Sequence, residues 1–224
     1  MTSKLEYKTR YLQIAFNYDA RLVKQILPTI TGSSRILIEA GTPYLKREGM
    51  NGIRLIRRYW QGHVVADIKT VDGAVSEVDM VHSAGASAAT VLGNSPTETL
   101  DLFIERCARL GMLSMIDMLG VTDPLKVMMR LVNPPDVMVL HKGRDEETTR
   151  GKMIQFRHVN RVRSKFDVLI SAAGGVGIKE ARSAIFNGAN IVVANLVHPS
   201  DPWTGITTSS DVAAMAREFL TTIE

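Results

Sequence analysis

Short apolar, β-branched runs alternate with stretches of helical periodicity along the whole chain, and this alternation is the strongest constraint on its fold. Strands that alternate with helices about every 25 to 30 residues pair in parallel through right-handed crossovers. Eight such units in 224 residues predict an α/β fold, a single (β/α)8 TIM barrel rather than an open doubly wound sheet. The predicted strands are residues 11–16, 35–39, 64–67, 88–91, 113–117, 137–140, 167–171 and 190–194.

No linker or shift in composition divides the chain. We therefore expect one barrel domain over residues 11–224, preceded by an N-terminal extension of residues 1–10. Residues 49–60 and 95–110 carry apolar side chains at helical spacing and are predicted helices. The most charged and turn-like stretch, residues 141–152, is predicted to form a long loop after the sixth strand. Loops after strands line the functional face of a barrel, so we expect this stretch beside the active site.

The composition excludes several classes of protein. With 45% hydrophobic residues, 22% charged residues, 17 Gly and 8 Pro, the chain is neither disordered nor fibrous. The single cysteine, Cys107, cannot form a disulfide within the chain, which favours a cytoplasmic location. No apolar run approaches the ~18 residues that span a bilayer, so we expect no membrane partner. The net charge is only +4, and the basic residues are scattered without interleaved aromatic residues, so we expect no nucleic-acid partner.

Polar and ionisable residues recur where the predicted strands end. In a parallel barrel these ends meet on one rim, which is where active sites lie. The residues are Asn17, Glu39, Asp67, Lys69, Asp117 and His141. A single carboxylate at a strand end is as often a helix N-cap as a catalytic group, but the convergence of the whole set on one rim predicts an active site.

The end of the third strand is the most specific of these segments. Residues i and i+2 of a strand face the same side, so Asp67 and Lys69 are both predicted to point into the barrel mouth, with Asp72 in the loop beyond. A lysine held between carboxylates stays protonated and can stabilise an oxyanion or transfer a proton. A structural ion-pair cluster that closes the barrel is an equally good interpretation of the same spacing.

The Asp-x-Lys-x-x-Asp pattern at residues 67–72 resembles the motif that the orotidine monophosphate decarboxylase superfamily carries at the end of strand three. The surrounding sequence is similar to one branch, the 3-hexulose-6-phosphate synthase and 3-keto-L-gulonate-6-phosphate decarboxylase family. The matching segments are residues 39–43 (EAGTP), 48–50 (EGM), 66–72 (ADIKTVD), 91–93 (VLG), 117–120 (DMLG) and 173–176 (AGGV). The resemblance extends from residue 11 to residue 202, and the combined motifs are specific to this branch.

The resemblance implies a role for each residue of the pattern. Glu39 and Asp67 would bind a Mg²⁺ ion that stabilises a cis-enediolate of the substrate. Lys69 would place a second positive charge beside the enediolate, and His141 would be the acid or base that moves a proton at the reacting carbon. Asp72 would reach into the active site of the partner subunit. The resemblance therefore implies a homodimer with shared active sites.

Three features depart from the family pattern. Asn17 stands where the family has Asp, which keeps hydrogen-bonding capacity but loses the charge. Arg144 is a feature of the decarboxylase branch, where it helps to deliver a proton. Family members bind phosphate with backbone amides after strands seven and eight; Gly174 and Gly175 match the first set, but the sequence around Asn195 has neither glycine nor arginine. Asn195 or His198 could replace the missing donors, the anionic group could differ in size or position, or the segment could have drifted around a retained phosphate. The expected substrate contacts are Asn17, Asp117, Gly174, Gly175 and Asn195.

The leading hypothesis is a Mg²⁺-dependent carbon–carbon lyase that acts through an enediolate on a sugar-phosphate-like substrate. It would be most like 3-hexulose-6-phosphate synthase, which joins formaldehyde to D-ribulose 5-phosphate. Arg144 motivates an alternative, a decarboxylase of the 3-keto-L-gulonate-6-phosphate type. Asn17 and the altered segment around Asn195 motivate another, a diverged barrel that binds an anionic metabolite without turnover. The chain retains the whole set of polar residues at the strand ends. This argues against the binding protein without turnover, which would have no reason to keep them.

Overall fold

The computed structural model describes residues 4–150 and 153–224, and within them the chain forms the predicted (β/α)8 TIM barrel. Eight parallel strands pair in sequence order, and the first also pairs with the eighth, which closes the barrel. The strands are β1 (Tyr11–Phe16), β2 (Ile36–Ala40), β3 (Val64–Thr70), β4 (Ala88–Leu92), β5 (Leu113–Asp117), β6 (Val137–His141), β7 (Leu169–Ala173) and β8 (Ile191–Val197). The helices are α1 (Ala20–Ile26), α2 (Thr42–Tyr59), α3 (Ala74–Ser83), α4 (Thr97–Arg109), α5 (Pro124–Met128), α6 (Arg144–Arg150), α7 (Val159–Arg163), α8 (Ile178–Phe186) and α9 (Val212–Thr222).

The predicted strands differ from the observed ones mainly at their ends. β7 begins at Leu169 rather than at residue 167, and β8 extends three residues past its predicted end. Asn195 therefore lies within β8, in register with Ala15 of β1, and not after the strand. A further strand, β9 (Ile206–Thr207), pairs in parallel with the end of β8. The sequence gives no signal for β9 because two residues carry no periodicity.

The alternation of side chains along each strand divides the core into two layers. In β1, Leu12, Ile14 and Phe16 belong to the large cluster between the barrel and its helices, whereas Tyr11 and Ala15 belong to the cluster inside the barrel. Both faces of the strands are thus buried, which explains why they read as continuous apolar runs. The polar side chains that interrupt the inner layer lie toward its carboxyl end and form the site described below.

Helix α2 contains the helix predicted over residues 49–60, but it begins earlier, at Thr42. Its two halves meet at Gly49, whose φ of 57° and ψ of −150° lie outside the helical region and suit only glycine. Pro43 occupies the first turn, where its missing N–H costs no hydrogen bond. The first half of α2 brings Thr42 to the rim of the barrel. None of the helices in the described ranges is both long enough and apolar enough to cross a membrane.

The charged stretch at residues 141–152 is not the long loop that the sequence predicts. His141 ends β6, and α6 begins only three residues later, at Arg144. The physical reason is the charge of the first turn, because Asp145, Glu146 and Glu147 are favourable at the positive end of a helix. Residues 151 and 152 lie outside the described residues. The stretch does lie beside the pocket, so its expected position is correct although its structure is not.

The segment ahead of β1 contacts the amino-terminal end of the barrel. The side-chain amide of Asn190 donates a 2.8 Å hydrogen bond to the carbonyl of Tyr7, and the backbone N–H of Glu6 donates to the hydroxyl of Tyr11 at 2.7 Å. Leu5 packs against the cluster inside the barrel. The division of the chain at residue 10 stays a prediction.

Candidate active site

A pocket of about 430 Å³ opens at the carboxyl ends of the strands, the face on which barrel enzymes carry their sites. Side chains from most of the strand ends and from the first turns of α2 and α6 line it. Nine of the predicted site residues are among them: Asn17, Glu39, Asp67, Lys69, Asp117, His141, Arg144, Gly174 and Asn195.

Strand β3 is irregular where it enters the pocket. Its pairing with β4 is regular at Ala66 and resumes only at Thr70. Between them Lys69 has a φ of 48°, a left-handed conformation that is uncommon for a residue other than glycine. The backbone N–H of Lys69 donates to Thr90 Oγ1 at 3.0 Å, which holds this conformation. Asp67 and Lys69 both line the pocket, as the i, i+2 spacing predicts, but Lys69 does so from an irregular backbone conformation.

Lys69 joins two carboxylates in the pocket. Its Nζ lies 2.8 Å from both oxygens of Asp67 and 3.0 Å from Asp117 Oδ2. Asp117 also interacts with His141, whose Nδ1 lies 2.8 and 3.0 Å from its two oxygens. Asp67, Lys69, Asp117 and His141 thus form one continuous ionic network, largely buried from solvent.

The charges within this network stabilise one another. Burial alone would lower the pKa of Lys69, but the adjacent Asp67 and Asp117 outweigh it and raise the pKa above its ordinary value. Burial opposes the charged form of His141 in the same way, and Asp117 again outweighs it and raises the pKa. For Asp117, His141 and Lys69 overcome the effect of burial and lower the pKa to about 2. At neutral pH the network therefore holds ionised Lys69 and Asp117, and Asp117 stabilises the imidazolium that forms when His141 takes up a proton.

Glu39, at the end of β2, is a second buried carboxylate close to Asp67. Only 7% of its surface is exposed, and Gln13 Nε2 donates to its Oε2 at 2.5 Å. Burial and the charge of Asp67 together raise the pKa of Glu39 to about 7. A buried carboxylate such as Glu39, beside a second carboxylate, is a position that a cation would stabilise.

The donors around Glu39 fit the Mg²⁺ ion that the family resemblance implies. Glu39 and Asp67 supply two carboxylates, and Gln13 Oε1 is buried without a hydrogen-bond partner. Mg²⁺ prefers such oxygen donors and is commonly held by one or two carboxylates with water or substrate oxygens. Lys69 Nζ would share the carboxylate oxygens of Asp67 with the Mg²⁺ ion. The described residues contain no group of three or more His, Cys, Asp or Glu able to hold a metal, so the fit depends on two carboxylates and a substrate.

Asn17 and Asn195 connect the first and eighth strands at the rim of the pocket. Asn17 Nδ2 donates to Asn195 Oδ1 at 2.9 Å. The side chain of Asn17 lies over Gly41, where an added Cβ would be 2.1 Å from Asn17 Oδ1, so position 41 has room only for glycine. The two residues that depart from the family pattern are therefore partners, and they form a neutral pair opposite the ionic network.

Arg144 begins α6 and lines the pocket. The carbon of its guanidinium lies 4.0 Å from the centroid of the Trp203 ring, a cation–π contact. Trp203 belongs to the segment between β8 and β9, so the contact joins this segment to α6. A second contact between the same segments runs from the backbone N–H of Thr204 to Glu147 Oε1 at 3.3 Å.

Gly174 and Gly175 follow β7 and adopt φ values of 97° and 64°. An added Cβ on Gly174 would lie 1.9 Å from the backbone oxygen of Lys142, so only glycine allows this close approach. Gly174 lines the pocket, whereas Gly175 lies against the carboxylate of Glu147. The backbone after β7 is thus close to the segment that follows β6.

Asp72 lies apart from the other predicted site residues. It is exposed, in the turn between β3 and α3, and it does not line the pocket of its own chain. Val71 and Val75 beside it are 52% and 41% exposed. A role for Asp72 in a neighbouring subunit stays a prediction.

Three residues of the pocket were not predicted from the sequence, although they hydrogen-bond to the central carboxylates of the pocket, Asp67 and Glu39. Thr42 Oγ1 donates to the backbone oxygen and Oδ2 of Asp67 at 2.7 and 2.8 Å, and Thr90 Oγ1 donates to its Oδ1 at 2.8 Å. Gln13 holds Glu39. For Gln13 and Thr90 a signal exists, because each is polar within an otherwise apolar strand.

Two further pocket residues, Lys142 and Trp203, also escaped the sequence analysis. Lys142 directly follows His141, so its place at a strand end was a usable signal. Trp203 gives no such signal in the sequence, because it reaches the pocket only through the path of the segment between β8 and β9.

A closed parallel barrel with linked acid, base and cationic groups at the carboxyl ends of its strands is the arrangement of (β/α)8-barrel enzymes. Within that class, the chain belongs to the orotidine 5′-phosphate decarboxylase/HUMPS family, whose model matches residues 10–195. The family resemblance seen in the sequence is therefore confirmed.

The relatives and solved structures that resemble this chain include members of one branch of the family, the 3-hexulose-6-phosphate synthases and KGPDC. The bifunctional enzymes Fae/Hps of Methanothrix thermoacetophila and Methanocaldococcus jannaschii are 35% and 34% identical over 96% and 97% of this chain. The chain spans 53% of the length of each, about half. A 3-hexulose-6-phosphate synthase structure from Salmonella typhimurium superposes with a TM-score of 0.83 at 25% identity, over 95% of this chain and 98% of that one. The KGPDC structure from Streptococcus mutans, with a TM-score of 0.75, 18% identity and coverage of 96% and 98%, shares the fold.

Proposed function

We propose that this chain is a carbon–carbon lyase that joins formaldehyde to D-ribulose 5-phosphate through an enediolate, as a 3-hexulose-6-phosphate synthase. The observation that carries the proposal is the buried network of Asp67, Lys69, Asp117 and His141 beside Glu39 in one pocket. The Fae/Hps relatives and the Salmonella synthase support this reaction over others of the same fold.

In this proposal His141 moves the proton. Its Nδ1 interacts with Asp117, which leaves Nε2 to take a proton from the carbon beside the substrate carbonyl. Asp117 stabilises the imidazolium that results, as the raised pKa of His141 indicates. The enediolate carbon then forms a bond to the carbon of formaldehyde, and the former formaldehyde oxygen receives a proton. The product is the sum of the two substrates, the sugar phosphate plus one CH2O unit, because the proton that His141 removed is returned and no atom is lost.

Lys69 stabilises the charge that develops on the enediolate oxygens. The two carboxylates that flank Lys69 keep it protonated, and its fixed position avoids reorganisation during the reaction. Glu39 and Asp67 would hold Mg²⁺, which when bound polarises the two adjacent substrate oxygens. Asn17 and Asn195 would hydrogen-bond substrate hydroxyl groups. Gly174 and Gly175 would contact its anionic group, and the next subsection concerns the position beside Gly175.

We also propose that the enzyme is a homodimer with shared active sites and that it is cytoplasmic. Asp72 would complete the pocket of the partner subunit. Its exposure beside the exposed Val71 and Val75 supports this role. The free and buried thiol of Cys107 supports a reducing compartment.

A substrate panel tests the reaction. The purified chain with Mg²⁺ is given formaldehyde and ribulose 5-phosphate, 3-keto-L-gulonate 6-phosphate, or their non-phosphorylated analogues, and products are followed by mass spectrometry. The expected result is a hexulose phosphate that requires both formaldehyde and the phosphorylated pentulose. If formaldehyde is not consumed at any enzyme concentration, the proposal is wrong.

One observation favours a second candidate, a decarboxylase of the 3-keto-L-gulonate-6-phosphate type. Arg144, the residue typical of that branch, lines the pocket and is held there by Trp203. In such a reaction the enediolate left by the departing CO2 must be protonated at carbon, and a nearby guanidinium can assist that step. Release of CO2 from 3-keto-L-gulonate 6-phosphate in the same panel would establish this activity.

A further inference from the structure

The carboxylate of Glu147 occupies a position with the properties of an anion-binding site. The backbone N–H of Thr204 donates to its Oε1 at 3.3 Å, and Lys142 Nζ lies 3.9 Å from its Oε2. Gly175 leaves the space for it, because an added Cβ there would lie only 2.6 and 2.7 Å from the two carboxylate oxygens. The side chain is just 15% exposed. A negatively charged group is therefore already accommodated where β7, β8 and α6 meet.

Glu147 is not a local helix cap. The neighbouring carboxylate of Glu180 accepts the backbone N–H of Gly177 three residues earlier, an ordinary capping contact at the start of α8. Glu147 instead accepts a donor 57 residues away in the sequence. Neither of the two polar contacts that its carboxylate makes with Thr204 and Lys142 is short, and its own helix α6 does not require them. The carboxylate can leave this position without disrupting a secondary-structure element.

We propose that Glu147 is a specificity-determining residue whose carboxylate competes with the substrate's phosphate for this position. The inference deepens the proposed function and rests on it, because it concerns the anionic group of the proposed sugar phosphate. To bind, the phosphate displaces the carboxylate and takes over Lys142 and the N–H of Thr204.

The competition sets which anions bind. A phosphate dianion carries twice the charge of the carboxylate, so it gains more from Lys142 and can displace Glu147. A neutral hydroxyl or a monoanion gains less and leaves Glu147 in place. Specificity is a difference of affinities, and a built-in competitor lowers the affinity for every weak anion. Glu147 thereby makes the pocket selective for doubly charged groups at some cost in phosphate affinity.

Calorimetric titration with inorganic phosphate at fixed ionic strength tests the inference. Removal of the competing charge in Glu147→Gln should tighten phosphate binding by about tenfold, because a like charge no longer faces the phosphate. Lys142→Met should weaken it by a similar factor, because the cation is lost. Glu218→Gln is the control, since it makes the same change on the exposed surface of α9, away from the pocket lining, and should change the affinity less than about twofold.

Each outcome decides the inference. It is wrong if Glu147→Gln binds phosphate no more tightly than the unaltered protein, if Glu218→Gln has the same effect as Glu147→Gln, or if phosphate binds to neither form. Glu147→Ala is a second variant that must tighten binding in the same direction, and melting temperatures show that each variant is folded. In the aldol assay, Glu147→Gln should lower KM for ribulose 5-phosphate and leave kcat unchanged. Phosphate binding requires no turnover, so failure of the aldol reaction and failure of this inference are separate results.

Discussion

The two sides of the pocket are built in different ways. On one side, the ionic side (Asp67, Lys69, Asp117 and His141), the contacts are 2.8 to 3.0 Å long. On the other, the recognition side (Lys142, Arg144, Glu147 and Trp203), the polar contacts of Glu147 are 3.3 and 3.9 Å long. The ionic side is fixed by strands, whereas the recognition side is built from the residues that follow β6, from α6 and from the segment before β9.

This difference matches the two tasks of the pocket. A group that transfers a proton or stabilises an enediolate must be held within a fraction of an ångström, and strand ends provide that precision. Groups that admit and release a ligand must exchange partners, which loosely held side chains on connecting segments can do. The expected effects of substitutions therefore decrease from the ionic side to the recognition side.

The largest effect is expected for the two carboxylates proposed to bind metal. Glu39→Gln and Asp67→Asn should each lower kcat by about 1,000-fold or more, because each removes a ligand and a charge at the centre of the reaction. Neither change alters the size of the side chain, so both variants should fold, but Asp67→Asn should melt at a lower temperature because it loses the buried ion pair with Lys69. Initial rates and thermal melts check both statements.

The matched control is Glu218→Gln, the same change on the exposed surface of α9, which should have no effect on the rate. Full activity in the presence of EDTA would contradict the assignment of a metal. A metal titration that restores the rate of the unaltered protein but not that of Glu39→Gln would support it.

A mixing experiment tests whether the ionic side is completed by a second subunit. Asp72→Asn and Lys69→Ala should each be inactive alone. In an equal mixture half of the dimers are hybrids, and each hybrid has one site free of both substitutions, so activity should return to about a quarter of the unaltered level. Sedimentation of a fully active monomer, or a mixture that stays inactive after subunit exchange, would contradict the shared site.

The sequence predicts the ionic side well because its geometry follows from strand order. Once eight parallel strands are placed in a barrel, Glu39, Asp67, Asp117 and His141 must share one rim. The left-handed φ of Lys69 could not be foreseen, because it depends on the hydrogen bond to Thr90 of the adjacent strand. Local spacing therefore gave the position of the residue but not the backbone conformation that places it.

The recognition side could not be predicted in the same way. The high charge at the start of α6 is typical of a loop, and it favours a helix only through its interaction with the helix dipole. The contact of Glu147 with Thr204 joins residues 57 positions apart, which no local pattern indicates. Asn195 lies inside β8 because the strand extends further than its apolar run indicates. Its pairing with Asn17 depends on the closure of the barrel, a tertiary property.

A smaller effect, within the ionic side, concerns the pKa of His141. Burial and Lys69 both lower this pKa, and Asp117 outweighs them and raises it, so Asp117→Asn should lower it, as measured by NMR of the imidazole proton. A raised pKa in the folded state means that the ion pair stabilises the fold below the ordinary pKa and loses this contribution as pH rises through the raised value. Asp117→Asn should therefore destabilise the protein more at pH 6 than at pH 9. An unchanged His141 titration in Asp117→Asn, or an equal shift in Glu218→Gln, would refute the pairing.

The smallest effect is expected on the recognition side, at Arg144. In the aldol direction the enediolate is captured by formaldehyde at carbon, and a guanidinium stacked on Trp203 has no necessary part in that step. Loss of the stack in Arg144→Ala removes a contact of about 0.5 to 2 kcal/mol and should leave kcat for the aldol reaction within about threefold. In a decarboxylase the same change should slow protonation of the enediolate by about 10 to 1,000-fold. Steady-state rates with both substrates separate the two cases. Trp203→Leu keeps the guanidinium of Arg144 but removes the ring that positions it. The rates of Trp203→Leu should therefore resemble those of Arg144→Ala only if the reaction depends on the position of the guanidinium. An aldol kcat that falls more than about tenfold at an unchanged melting temperature would make Arg144 catalytic, and the proposed division of the pocket would then place chemistry on both sides.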